Sequence, residues 1–333
     1  MRRHIPVLLL GATLIVGLFL PLATRASAPG FWMEVLLGGL MAGVLYSLVA
    51  LGFVLIFKAS GVFNFAQGAM VLFAALSFAR LSEFMPLVFA FALSVLVMIA
   101  LAYAIEFLVL RRLVNQEGII LFMATLGIAY FLEGFGQTIW GSDVYRISLG
   151  LPTNPIFILE SVFPGGLLID PAELIAATIC AVMVLVLAVF FQVTWVGRAL
   201  RAVADDHQAA QSVGIPLNQI WFLVWAVSGL VALVAGMMWG AKLGVQFSLS
   251  LIALKAFPVL ILGGLTSIPG AIVGGLIIGA GEKLAEVFLA PLLVRAFDLA
   301  GGGIENWFAY MLALVFLLVR PQGLFGERII ERV

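Results

Sequence analysis

The chain has little with which to do chemistry of its own. Cys180 is its one cysteine, so no intrachain disulfide can form, and His4 and His207 are its two histidines. That excludes a His-x-x-x-His metal helix and haem ligation by paired histidines. The nearest approach to a phosphate-binding loop, Gly279-Ala280-Gly281-Glu282-Lys283, lacks the glycine before its lysine and the Ser or Thr after it. Neither Gly-x-Ser-x-Gly nor His-Glu-x-x-His occurs. The chain is therefore expected to bind no metal or cofactor and to catalyse nothing by itself. Charge is scarce too: 10% of residues are Asp, Glu, Lys or Arg, against about a quarter in soluble domains. Net charge is +0, which removes the electrostatic case for a nucleic-acid partner.

What is present is apolar. Of 333 residues 64% are hydrophobic, and mean hydropathy is +1.22. Ten runs approach the roughly 20 residues that cross a bilayer: 5–22, 34–57, 65–78, 86–110, 118–140, 172–196, 220–240, 251–266, 271–289 and 304–319. The expected fold is an all-α integral membrane protein of about ten transmembrane helices. We read it as one membrane domain: an N-terminal helix and linker over 1–30, a core over 34–326, an outer loop at 141–171 and a cytoplasmic loop at 197–218. Ala26-Ser27-Ala28 looks like a signal-peptidase site, but Pro29 disfavours cleavage, so the first run is read as a retained helix.

Positive charge sets the orientation. With the N-terminus inside, inner segments hold Arg2, Arg3, Lys58, Arg111, Arg112, Arg198, Arg201, Arg320, Arg328 and Arg332, and outer segments hold Arg25, Arg80, Arg146, Lys242 and Arg295. Both termini are then cytoplasmic. The outer loop is rich in proline, glycine and large apolar residues, and reads as an ordered cap. Residues 241–254 are too polar to span and read as a short re-entrant piece.

Between the runs ending at Val196 and starting at Ile220 lies a polar island, GRALRAVADDHQAAQSVGIP, over residues 197–216. Its alanines and valines alternate at helical spacing with Arg201, Asp205, Asp206 and Gln208, and Gly214 is a natural residue to end a short helix. Arg201-Ala202-x-Ala204-x-Asp206 with Ala210 and Gly214-Ile215 resembles the cytoplasmic loop of permease subunits of branched-chain amino acid ABC importers. Three further stretches are similar to that family in the same order: residues 61–68 (GVFNFAQG), 255–271 with Lys255-Ala256-Phe257, Leu262-Gly263-Gly264 and Ser267-Ile268-Pro269-Gly270-Ala271, and 320–325 with Arg320-Pro321-x-Gly323-Leu324-Phe325. The chain departs from the family at Gln67, where histidine is often found, and in its longer loop after Trp140.

The resemblance implies a permease in the bacterial plasma (inner) membrane that moves its solute by alternating access. It further implies a second permease subunit or a copy of this one, two cytoplasmic ATPase subunits that carry ATP and Mg, and an outer substrate-binding protein. Arg198, Arg201, Asp205, Asp206, Ala209, Ala210 and Gly214 are then candidates for coupling to the ATPase. Asn64 and Gln67 would present a helix start to the solute path. Glu133, with Tyr130 and Gln137 on its face, and Tyr46 with Ser47 are further path candidates. Lys255 and Glu282 lie equally far from the turn at 267–270, each roughly 20 Å along its helix, and isolated charges at that depth would be costly, so they are expected to pair. Two alternatives stand beside this reading: a permease for urea or short amides, and an ion-coupled secondary transporter built on Glu133 or the Lys255–Glu282 pair.

Overall fold

The computed structural model describes residues 30–326 except 62, 114–115, 153, 164–165, 206 and 298–302, and leaves the side chains of 205, 207, 208 and 305 aside. The first apolar run and the cleavage question lie outside the described residues, as do Arg328 and Arg332. Helices dominate: α1 (Phe31–Ser60), α2 (Gln67–Phe84), α3 (Leu87–Leu108), α4 (Gly118–Trp140), α5 (Pro171–Val193), α6 (Trp195–Asp205), α7 (His207–Ser212), α8 (Leu217–Leu243), α9 (Ile252–Gly263), α10 (Ile268–Leu284), α11 (Ala290–Phe297) and α12 (Ile304–Val319). Among the described residues five helices are long and apolar enough to cross a membrane, namely α1, α3 with its 3-10 extension to Arg112, α4, α5 and α8. A sixth is possible if the stretch 247–263 and the stretch 268–297, bent by 115°, count as one span.

Local chemistry explains where these helices begin and end. Pro171 opens α5 and Pro216 precedes α8, places where a missing N–H is harmless. Ser267 caps α10 by accepting from the Gly270 N–H at 3.0 Å. Gly141 and Gly244, both at positive φ, stop α4 and α8. A five-residue π turn, Ala285–Leu289, joins α10 to α11.

The all-helical expectation needs one amendment. Within the loop at 141–171, β1 (Ile156–Ile158) pairs antiparallel with β2 (Leu167–Ile169), Phe157 opposite Leu168. Leu168 N–H also donates to Glu34 Oε1 at 2.6 Å.

The chain divides into two compact units, and the division falls inside α1 and α5 and near the start of α9. One unit comprises 48–150 and 182–254. In it α8 packs on α2 and α3, and α2 packs on α4. A methyl on Gly236 of α8 would lie 2.6 Å from the Val71 carbonyl oxygen, so the two backbones meet without a side chain between them. Trp221 Nε1 donates to Ala59 O at 3.1 Å, tying α8 to the end of α1.

The other unit comprises, among the described residues, those up to 47, 151–181 and from 255 on. Here α10 packs on α12 and lies against the first half of α1, where small residues face each other in antiparallel order. A methyl on Gly39 would meet the Gly279 carbonyl oxygen at 2.8 Å, and one on Gly43 would meet the Gly275 carbonyl oxygen at 2.5 Å. Such Gly-x-x-x-Gly approaches let apolar helices associate where no hydrophobic drive exists between them. At the far end, Leu324 and Phe325 N–H donate to the Leu262 and Gly263 carbonyls at 2.8 and 3.1 Å. The stretch after α12 therefore closes the end of α9, whose last carbonyls have no helical partner.

Candidate functional site

The polar island folds as α6 and α7. Thr194 Oγ1 donates to Phe190 O at 2.7 Å and accepts from Gly197 N–H at 3.3 Å, which turns the chain out of α5. Arg201 donates to the Phe191 and Gln192 carbonyls at 2.8 and 3.5 Å, and Arg198 to the Val193 carbonyl at 3.1 Å. Both guanidiniums thus sit at the negative end of α5. α6 buries Ala199, Leu200 and Val203 and packs against α8. α7 buries Ala210 and exposes Ala209, and Ile215 N–H reaches back to Ala210 O at 3.0 Å with Gly214 at φ +89. That is a Schellman closure, and it presents Val213, 82% exposed, beside a shallow hollow of about 380 Å³ lined by Gln211 and Gly214–Asn218. Asp206 and the Asp205 side chain lie outside the described residues.

Two sequence candidates for coupling, Arg198 and Arg201, are therefore engaged within the chain, holding α6 to α5. Replacing Arg201 with Ala should cost about 1 kcal/mol, the worth of one net hydrogen bond at a helix end, read as a lower melting temperature of the purified protein. An unchanged melt would show that the corner holds without it.

On α4, Tyr130 and Gln137 are exposed and Glu133 is half-buried. Gly127 and Gly134 lie on the same side, with open space where a side chain would be. Only 22% of this span is buried within the chain, and Glu133 lies beyond its midpoint. A carboxylate there belongs against protein or water rather than lipid tails.

Asn64 and Gln67 are enclosed at 0% exposure. Asn64 Oδ1 accepts from Ala66 N–H at 3.0 Å and its Nδ2 donates to Gln67 Oε1 at 3.3 Å. Asn64 thus forms a turn ahead of α2, which starts at Gln67 rather than Phe65 and has Ala66 at its cap position. Ser228 Oγ donates to the same Gln67 oxygen at 2.7 Å. Ser228 was not legible as a partner, because its link to Gln67 bridges α8 and α2.

Lys255 Nζ stands 2.8 Å from Glu282 Oε1, and Tyr46 Oη donates to that same oxygen at 3.3 Å. Ser47 Oγ bonds the Gly43 and Ile272 carbonyls at 2.8 and 3.2 Å, across the α1–α10 contact. One buried carboxylate escaped the sequence reading. Glu106, 1% exposed, takes Arg111 Nε and Nη2 at 3.1 and 3.0 Å. The available signal was an Arg five residues on, where α3 ends.

Long apolar helices with charges and amides held inside them, and an amphipathic charged element between two spans, define a multi-pass membrane protein. The family model described as "Branched-chain amino acid transport system / permease component" matches residues 35–320, and the chain belongs to that family. It is 30% identical over 314 residues to the high-affinity branched-chain amino acid transport system permease protein BraD of Pseudomonas aeruginosa, covering 91% of this chain and 98% of BraD. It is 27% identical over 326 residues to LivH of Escherichia coli, again over 91% and 98%. A probable LivH of Methanocaldococcus jannaschii is 29% identical over 300 residues, 88% of this chain and 92% of its own. Among solved structures, PsaBC from Streptococcus pneumoniae in complex with Fab aligns over 87% of this chain and 94% of its own, with a TM-score of 0.44 at 15% identity. A permease component is by description one part of a larger assembly, which needs an ATPase and a substrate-binding partner.

Proposed function

We propose that this chain is the membrane-spanning subunit of an ATP-driven importer for branched-chain amino acids, in the plasma membrane of a bacterium. The observation that carries the reading is the family match over 35–320 together with a folded α6–α7 element where coupling would occur. The assembly comprises a second permease, like or unlike this one, two cytoplasmic ATPase subunits that bind ATP and Mg, and an outer binding protein. Ten spans with both termini inside fit the charge distribution. The outer protein releases the solute, and closure of the ATPases presses on α7. α6, tied to the end of α5 and packed on α8, carries that push into the membrane and exchanges outward for inward access. The face of α4 with Glu133 and Gln137 lies along the solute path, since Tyr130 and Gln137 stand exposed beside Glu133 on the span that is least buried, at 22%, of the five described. Asn64, Gln67, Tyr46 and Ser47 shape the path through the helices they hold in place.

Reconstitution in vesicles tests this. Leucine uptake should require ATP, the ATPase subunits and the binding protein together. Replacing Glu133 with Leu should lower uptake about tenfold, the size of one lost charge-assisted contact, while ATP hydrolysis continues. Uptake driven by a proton gradient without ATPase would make the chain a secondary carrier instead. Uptake of urea in preference to leucine would select the short-amide alternative.

A further inference from the structure

The contact between Lys255 and Glu282 is lopsided in a way that ordinary packing does not require. The Glu282 side chain is 8% exposed, whereas that of Lys255 is 38% exposed. Glu282 is fixed from two sides, by the Lys255 ammonium at 2.8 Å and the Tyr46 hydroxyl at 3.3 Å, and both fall on Oε1. It sits on α10 just beyond the glycines that press that helix against α1, so its backbone has little freedom to shift. Lys255 lies on the first turn of α9, roughly 12 Å along the helix from its end at Gly263. A lysine placed there to be rid of its charge would extend toward the nearest headgroups. This one is drawn to a buried carboxylate instead, and an ammonium has three N–H groups, of which Glu282 engages one.

We propose that Lys255 and Glu282 form a solute station for the zwitterionic backbone of an amino acid, with Lys255 receiving the carboxylate and Glu282, steadied by Tyr46, drawing the ammonium. This rests on the amino acid importer reading above. The electrostatics favour it over a station for a single ion. The bare pair is neutral, and so is the pair with a zwitterion docked head to tail, so no net charge is left in a low-dielectric surrounding at either stage. A lone anion on Lys255 would leave Glu282 uncompensated. A station that reads only the two charged groups common to all α-amino acids leaves selectivity among side chains to the outer binding protein of the proposed assembly, and suits a passage that must also release its cargo.

The experiment separates a solute contact from a packing pair. In the complete assembly in vesicles, with radiolabelled leucine as probe, the pair is replaced by neutral partners in K255Q/E282Q and, independently, K255M/E282L. Replacing both members avoids the buried lone charge that either single change would leave. Each double variant should melt within a few degrees of the wild type and keep ATP hydrolysis stimulated by loaded binding protein. Leucine uptake should nevertheless fall at least about tenfold, as expected for loss of a charge-assisted contact. Uptake within about twofold of wild type in either folded variant overturns the station. Failure of the underlying reading shows differently, as a wild-type assembly that does not take up leucine at all.

Discussion

Replacing Ala209 with Trp should abolish import while leaving the protein folded. Ala209 is exposed on α7, whereas its neighbour Ala210 is 3% exposed and anchors that short helix to the chain. Bulk at 210 would break the fold and prove nothing about coupling. Bulk at 209 changes only the exposed face of α7, the face that the proposed function offers to an ATPase. That face adjoins the helices that follow and precede it: Ile215 N–H caps α7 on Ala210 O at 3.0 Å just ahead of α8, α6 packs on α8, and Arg198 and Arg201 hold α6 to the last carbonyls of α5. A small exposed face on a short capped helix suits docking into a groove, and an indole there would hold the partner off by several ångströms. We expect uptake below about a tenth of wild type, corresponding to more than about 1.4 kcal/mol of lost coupling, with basal ATP hydrolysis intact. The two rates are measured side by side in vesicles, together with the melting temperature. Normal uptake in A209W would take α7 out of its assigned role.

The second large effect concerns the small-residue contact between α1 and α10. Gly43→Ala adds one methyl, which would stand 2.5 Å from the Gly275 carbonyl oxygen and 3.0 Å from the Leu276 Cα. The obstacles are backbone atoms of a packed helix, so no rotamer change relieves the clash and the helices must separate. Overpacking of this kind costs about 1–3 kcal/mol, and here the upper end is expected because Ser47, Tyr46 and Glu282 depend on the same spacing. Gly38 supplies the control: it lies one residue from Gly39 on α1, yet nothing approaches within 4 Å of its added methyl. Gly38→Ala should melt with the wild type, or slightly above it from reduced unfolded-state freedom. If G43A and G38A melt together, the two helices are further apart than their glycines imply.

Much of the membrane architecture was legible because its causes are local. Prolines and glycines that start or stop helices act through their own φ angles, and Pro171, Pro216, Gly141 and Gly244 stand at the ends of α5, α8 and α4 as their chemistry dictates. The four motif stretches identified the family, and the match over 35–320 confirms it. Equal spacing about the 267–270 turn placed Lys255 and Glu282 at one depth, and the structure has them 2.8 Å apart. What spacing did not convey was Tyr46 as the third member, since its link to Glu282 spans 236 positions.

The sequence by itself determined that this is a membrane protein, which stretches are apolar, which island is too polar to join them, and to which family the chain belongs. Those properties follow from composition and from periodicity within a few turns. Only the tertiary structure decided which polar groups meet. Asn64 and Gln67, on the page a helix start open to a solute, are enclosed with Ser228 from α8. Arg198 and Arg201 turn back onto α5 instead of standing free, and the RPQGLF stretch closes the end of α9. In each case the choice of partner rests on desolvation: a buried donor or acceptor must find its mate among groups brought close by packing, and distance along the chain carries no information about that.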